Sequence, residues 1–161
     1  MKLISWNIGK RAEAWRQLLD TDADIALLQE AGEPPSDIAA KIGVDGQPWR
    51  TEGINANRPW RAAVVQLNKR VRICWHHPLP LEHAGSGDLG VSRQGTLASA
   101  EIAGPDETPY TVVSMYAVWE RPHHSTQSGW IYADASVHRL ISDLAVLSDD
   151  KKAIASWPPA I

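Results

Sequence analysis

Met1-Lys2-Leu3-Ile4-Ser5-Trp6-Asn7 and then Asp24-Ile25-Ala26-Leu27-Leu28-Gln29-Glu30 are the stretches whose reading decides the fold. Each is a short apolar run rich in Ile and Leu and bounded by polar residues, the pattern of a strand buried on both faces. Between them, residues 11–19 put Ala12, Trp15, Leu18 and Leu19 on one helical stripe, and residues 20–24 supply polar turn chemistry. The order strand, helix, strand predicts a right-handed crossover, which makes the two strands parallel and brings their C-terminal ends to one edge of the sheet. Asn7 and Glu30 then stand side by side at the rim where open α/β folds bind ligands. An amide and a carboxylate in that position suit a hard divalent cation. For either residue alone, a polar strand end meeting solvent is the commoner meaning; order and spacing together favour a site.

The motifs Ser5-Trp6-Asn7 and Leu28-Gln29-Glu30 resemble those of the endonuclease/exonuclease/phosphatase superfamily, which includes exonuclease III, deoxyribonuclease I, inositol phosphatases and sphingomyelinases. The resemblance implies an α/β (α+β) domain, the N-terminal part of a four-layer α/β/β/α sandwich of the deoxyribonuclease I-like type. It implies Glu30 as a ligand of Mg²⁺, or Mn²⁺ in its place, and Asn7 as a catalytic residue orienting a phosphate or the catalytic acid. Mg²⁺ keeps several waters and is satisfied by one or two protein carboxylates, so a single rigid Glu is chemically sufficient as an anchor. Tyr116 falls where family members place a polar or aromatic side chain facing the scissile phosphate. The segment after it holds Trp119, Arg121, His123 and His124, together with Glu120, donors suited to lining a phosphate pocket.

Farther along, Ser36 reads as an N-cap, residues 37–42 as a short helix and Gly43 as its terminator. Residues 43–61 read as a loop. Strand patterns follow at residues 62–67, 71–76, 95–102 and 110–116, with turns at Asn68-Lys69 and Gly104-Pro105-Asp106-Glu107, which together predict a meander of hairpins. Residues 82–92, with Gly85, Gly87 and Gly90, read as a flexible surface loop; they lack the Lys-Ser/Thr ending of a P-loop. Residues 132–147 form the strongest helix pattern, with Val137, Leu140, Ile141, Leu144 and Leu147 on one stripe. Asp134 and His138, one turn apart on it, read as a solvated pair.

Composition limits the function classes. The 161 residues are one domain's worth, 43% hydrophobic and 22% charged, as in ordinary globular proteins. No apolar run reaches the roughly 18 residues that a membrane span needs. No signal-peptide pattern stands at the N-terminus, so the expected location is cytoplasmic, with no membrane partner. A net charge of -3 gives no overall attraction for a polyanion, and the small basic group Lys69, Arg70 and Arg72 reads as a solvated turn. The single cysteine, Cys74, precludes an intramolecular disulfide and reads as a small strand hydrophobe. Of eight tryptophans, Trp6, Trp15 and Trp75 fall at core positions; Trp49, Trp60, Trp119 and Trp130 fall in loop-like segments, where packing is favoured over service as stacking platforms. The pairs His76-His77 and His123-His124 lack a zinc-like spacing to further ligands.

The superfamily's Gly-Asp-x-Asn motif and later Ser-Asp-His are not in this sequence. Residues 151–155 have the character of the strand that should precede the first, but Ser156-Trp157-Pro158-Pro159-Ala160-Ile161 follows, and two prolines do not sit in a central strand. The expectation is therefore one domain over residues 1–161, truncated at its C-terminal side, built for magnesium-dependent hydrolysis of phosphate esters and weak or inactive in it. The expected substrate is a phosphate ester, nucleic acid among the candidates. The alternative is a non-catalytic remnant or binding module. An incomplete sandwich leaves a sheet face and a strand edge uncovered, so self-association is expected as well.

Overall fold

A computed structural model describes residues 1–51, 57–85, 88–105, 108–118 and 132–149. The first two strands form as their apolar runs require. β1 (Leu3–Asn7) and β2 (Ile25–Ala31) pair in parallel, with Leu3 opposite Ile25 and Asn7 opposite Gln29. The crossover between them is α1 (Ala12–Leu19). Its buried residues are Ala14, Trp15 and Leu18; Ala12, expected on the inner stripe, is exposed, because the helix is rolled so that positions 14, 15 and 18 meet the sheet.

Beyond β2 come α2 (Ser36–Ala39), β3 (Gly43–Val44) and β4 (Arg61–Gln66). Pro35 rather than Ser36 occupies the N-cap position of α2. Gly43 does not end a helix but begins a strand that pairs with β4, so residues 43–61 are not loop throughout. The glycine is needed for close approach: a Cβ at position 43 would lie 2.8 Å from Gln66 Oε1 and 3.0 Å from the Trp75 ring. The resulting four-stranded sheet has the order β1-β2-β4-β3.

A second sheet contains β5 (Arg72–Trp75), β8 (Leu97–Ala103) and β9 (Tyr110–Met115) in the order β5-β8-β9, all antiparallel. β6 (Leu79–Pro80) and β7 (Gly90–Val91) form a small parallel pair between β5 and β8 in the chain. The expected meander is therefore only partly formed. β8 and β9 are a hairpin, but the turn at residues 68–70 carries the chain from one sheet to the other, and β4 and β5 do not pair. Trp75 makes the split favourable by donating its indole N–H across the sheets to the Val64 carbonyl at 2.9 Å. The described parts of the segment 82–92 are not simple surface loop: Leu81–His83 is a turn of 3-10 helix, and Gly90 and Val91 are buried.

Alternation along β2 and β4 sorts the core into two layers. Ala26, Leu28, Ala63 and Val65 face α1, closing around Trp15, Leu18 and Ile8, while Ile4 and Trp6 of β1 pack against the same cluster. Ile25, Ala62 and Val64 face the second sheet and meet Ala98, Ala100 and Ile102 of β8. The molecule is thus a mixed α+β fold in which a helix and a second sheet cover opposite faces of the first sheet.

The helix α3 (Tyr132–Asp149) forms where its pattern predicts. Its expected stripe is only in part its inner face: Leu140 and Leu144 are half-buried. Val137 is 50% and Ile141 59% exposed, whereas Ser136 and Asp143 are buried. Asp143 accepts hydrogen bonds from the Ser92 amide at 3.1 Å and the Ser92 hydroxyl at 2.8 Å, so polar anchoring sets the rotation of the helix. Among the described residues, no helix is long and apolar enough to cross a membrane.

Candidate functional site

Asn7 ends β1, and the chain then turns sharply through Gly9 and Lys10, both left-handed with φ of 55° and 63°. β2 ends in a comparable distortion. Its register against β4 shifts between Leu28 and Ala31, so one extra residue is accommodated on β2, and Glu30 takes φ 49°. Strict alternation would give Glu30 the face of Leu28, toward α1. The bulge and the left-handed turn re-aim it to the rim, the use such irregularities commonly serve beside functional sites. Parallel pairing persists through the distortion, because Ile8 N–H donates to the Gln29 carbonyl at 3.1 Å and Lys10 N–H to the Glu30 carbonyl at 2.8 Å.

Glu30 and Asn7 therefore meet. The Asn7 Nδ2 donates to Glu30 Oε1 at 3.3 Å, and Asn7 Oδ1 accepts from Gly9 N–H at 3.1 Å. That second bond fixes the amide orientation: Asn7 turns its donor toward the carboxylate and spends its oxygen on the backbone. In this arrangement its side chain holds Glu30. The Lys10 ammonium lies 3.9 Å from Glu30 Oε2.

Tyr116 reaches the same carboxylate from the second sheet. It lies two residues beyond Ser114, whose hydroxyl donates to the Leu28 carbonyl at 2.6 Å and accepts from Gln29 Nε2 at 3.3 Å, fastening β9 to β2. Tyr116 N–H then donates to the Thr96 carbonyl at 2.8 Å. Burial raises the Tyr116 phenol above its ordinary value, and the nearby Glu30 carboxylate raises it further, against a smaller opposing pull from Arg58. The phenol is therefore protonated at neutral pH, close to the Glu30 carboxylate. Its ring meets Trp60 edge-on at 4.8 Å. Trp60 is 9% exposed and is flanked by the Arg58 guanidinium at 5.0 Å and the Lys10 ammonium at 5.6 Å from its centroid. Trp49 is engaged too, edge-on to Trp15 at 5.7 Å and beneath Arg61 at 4.2 Å. Both rings are packing elements, not open stacking platforms.

Of the residues singled out in the sequence, Asn7, Glu30 and Tyr116 come together. Trp119, Arg121, His123 and His124 lie outside the described residues, as do Glu120, Trp130 and 151–161. Lys10 was not anticipated; its one signal was its place three residues after Asn7, in the turn that closes on Glu30. Elsewhere, His76 Nδ1 sits 2.9 Å from the Ser99 hydroxyl, and burial, with the neighbouring His77, lowers its pKa. Arg70 pairs with Asp24 at 2.8 Å, so one member of the basic turn is structural.

Among the described residues no three His, Cys, Asp or Glu side chains gather as a metal-binding group. The donor set at Glu30 is one carboxylate, which fits a magnesium ion retaining most of its water and does not fit a metal that demands three or four protein ligands. No protein-family model matches the chain, and neither a curated protein nor a solved structure matches it.

Proposed function

We propose that this chain carries the carboxylate side of a magnesium-dependent phosphoesterase site of the nuclease or phosphodiesterase type, within an α/β/β/α sandwich of the deoxyribonuclease I-like kind. Its substrate is a phosphate ester, with nucleic acid one candidate. The observation that carries the reading is the convergence of Asn7, Glu30 and Tyr116 at the shared C-terminal rim of two parallel strands. Glu30 would hold Mg²⁺, or Mn²⁺ in its stead. Such an ion, when bound, neutralises charge on phosphoryl oxygens.

The protein's own groups do the rest. Asn7 holds the Glu30 carboxylate in one orientation, so that a ligand meets a fixed oxygen. Tyr116 keeps its proton at neutral pH and would offer it to an anionic oxygen beside Glu30. A residue to activate the attacking water is the component this sequence does not supply in the expected Gly-Asp-x-Asn or Ser-Asp-His form. General acid or base catalysis contributes about two to four powers of ten, so turnover is expected to be very slow.

The test is an assay with Mg²⁺ or Mn²⁺ on abasic DNA, single-stranded DNA and bis-p-nitrophenyl phosphate. Weak hydrolysis that Glu30→Ala abolishes supports the reading; hydrolysis that survives Glu30→Ala overturns it. A binding role is the second reading, and it too has an observation behind it. Among the described residues β1 ends the first sheet and β9 ends the second, and neither strand carries a charged residue. Self-association through this border belongs to the same proposal.

A further inference from the structure

We infer that Lys10 is the resident counter-ion of Glu30, and that a divalent cation reaches this carboxylate only by displacing the Lys10 ammonium. The inference rests on the reading of Glu30 as a metal ligand and assigns what governs its affinity. Three groups surround the carboxylate: Asn7 Nδ2 donates to Oε1 at 3.3 Å, Lys10 Nζ stands 3.9 Å from Oε2, and the Tyr116 phenol lies close enough for the Glu30 charge to raise its pKa. Of these three, only Lys10 brings a positive charge.

Its position is held by the backbone rather than chosen by a free side chain. Lys10 has φ 63°, a conformation that a lysine seldom adopts, and its N–H is bonded to the Glu30 carbonyl at 2.8 Å. The turn is thereby closed on the residue that the ammonium neutralises. The Trp60 ring, 5.6 Å away at its centroid, offers a second attractive surface for the cation. A divalent ion seated on Oε2 meets the ammonium at close range and replaces one unit of charge compensation with two.

Lys10 is about half exposed, so its substitution leaves the core intact. The experiment measures Mn²⁺ binding to the full chain at low ionic strength, by calorimetry and by the electron paramagnetic resonance of free Mn²⁺. Wild type, Lys10→Gln, Lys10→Arg and Glu30→Gln are compared, with thermal melts confirming that each is folded. Lys10→Gln should bind at least about fivefold more tightly than wild type, the factor that a single charge exerts at about 4 Å even through bulk water. Lys10→Arg should stay near wild type, and Glu30→Gln should lose binding. Equal or weaker binding by Lys10→Gln, with Glu30→Gln still abolishing it, overturns the role of Lys10 and leaves the metal reading standing. Binding that Glu30→Gln does not change, or none in any of the four proteins, overturns both.

Discussion

At the residue scale, the polar groups that matter most are those whose charge is fixed by partners rather than by water. Asp24 is 4% exposed at the turn before β2. Burial alone would raise its carboxyl, but the Lys2 amide at 2.7 Å, Asn68 Nδ2 at 2.9 Å and the Arg70 guanidinium at 2.8 Å together hold it below its usual value of 3.8. A depressed carboxyl stabilises the fold above its unfolded pKa and loses that contribution as pH falls through the lower folded value. The Asp24 contribution should therefore be level above about pH 5 and decline below about 3.8, and Asp24→Asn should be less stable at pH 7 with a shallower limb between pH 4 and 3. Urea denaturation at pH 7, 4 and 3 measures this; equal losses for both proteins between pH 4 and 3 would remove Asp24 from the account. Asn7 and Glu30 are held by a hydrogen bond to each other. Their meeting was legible in the sequence, because each closes a buried run and the intervening helix makes the runs parallel. The resemblance set Tyr116 facing a phosphate; that its phenol lies near Glu30 depends on the Ser114 link between the sheets, which is not a local property of the sequence.

At the element scale, β4 carries the most demanding arrangement in the fold. Arg61 opens the strand and is 2% exposed, and its guanidinium makes two bonds to the Asp45 carboxylate, at 2.9 and 2.6 Å. Its Nε has no partner. The charge is stacked on Trp49, and Gly95, at φ 74°, lies where a Cβ would strike Thr51 and crowd Arg61. Removing one partner leaves a buried uncompensated charge, so Asp45→Ala should cost about 3–5 kcal/mol, lowering Tm by about 10 °C. The double replacement Asp45→Leu with Arg61→Met should lose much less, since neither charge is then stranded. Calorimetric melts of the three proteins decide, and a double variant as unstable as the single one would show that the pair contributes attraction rather than mere neutrality. None of this was visible in the sequence. Residues 43–61 read as a loop because a two-residue strand has too few positions to show a period, and because the partner of a charged residue is not a local property.

At the scale of the whole molecule, the two sheets end on the same side. β9 packs against β2 and β4, while β1 continues past it, and Leu3, Ser5 and Asn7 are exposed on the face that Ile25 shares with the second sheet. Leu3 is 46% exposed, and Tyr110 and Met115 of β9 are 56% and 40% exposed. Natural edges are usually blunted by charge or proline, and β1 and β9 have neither. Concentration-dependent association is expected in sedimentation velocity, and Leu3→Lys should shift the distribution toward monomer. Monomer alone at all accessible concentrations would rule out this border as an interface.

The sequence by itself determined the local elements and the first crossover: two buried strands, α1 between them, the strands of the second sheet to within a residue or two, and the long helix α3. It determined the rim on which Asn7 and Glu30 stand. Only the tertiary structure decided which strands share a sheet, which face α3 turns inward, that β2 bulges at Glu30, and that Lys10 sits over its carboxylate. The physical reason is one of range. Alternation and helical spacing record how much of each residue is buried, and that is written within a few neighbouring positions. Pairing, bulges and counter-ions are settled by hydrogen bonds and charges between residues far apart in the chain, where many partners satisfy the same local pattern and only close packing selects one.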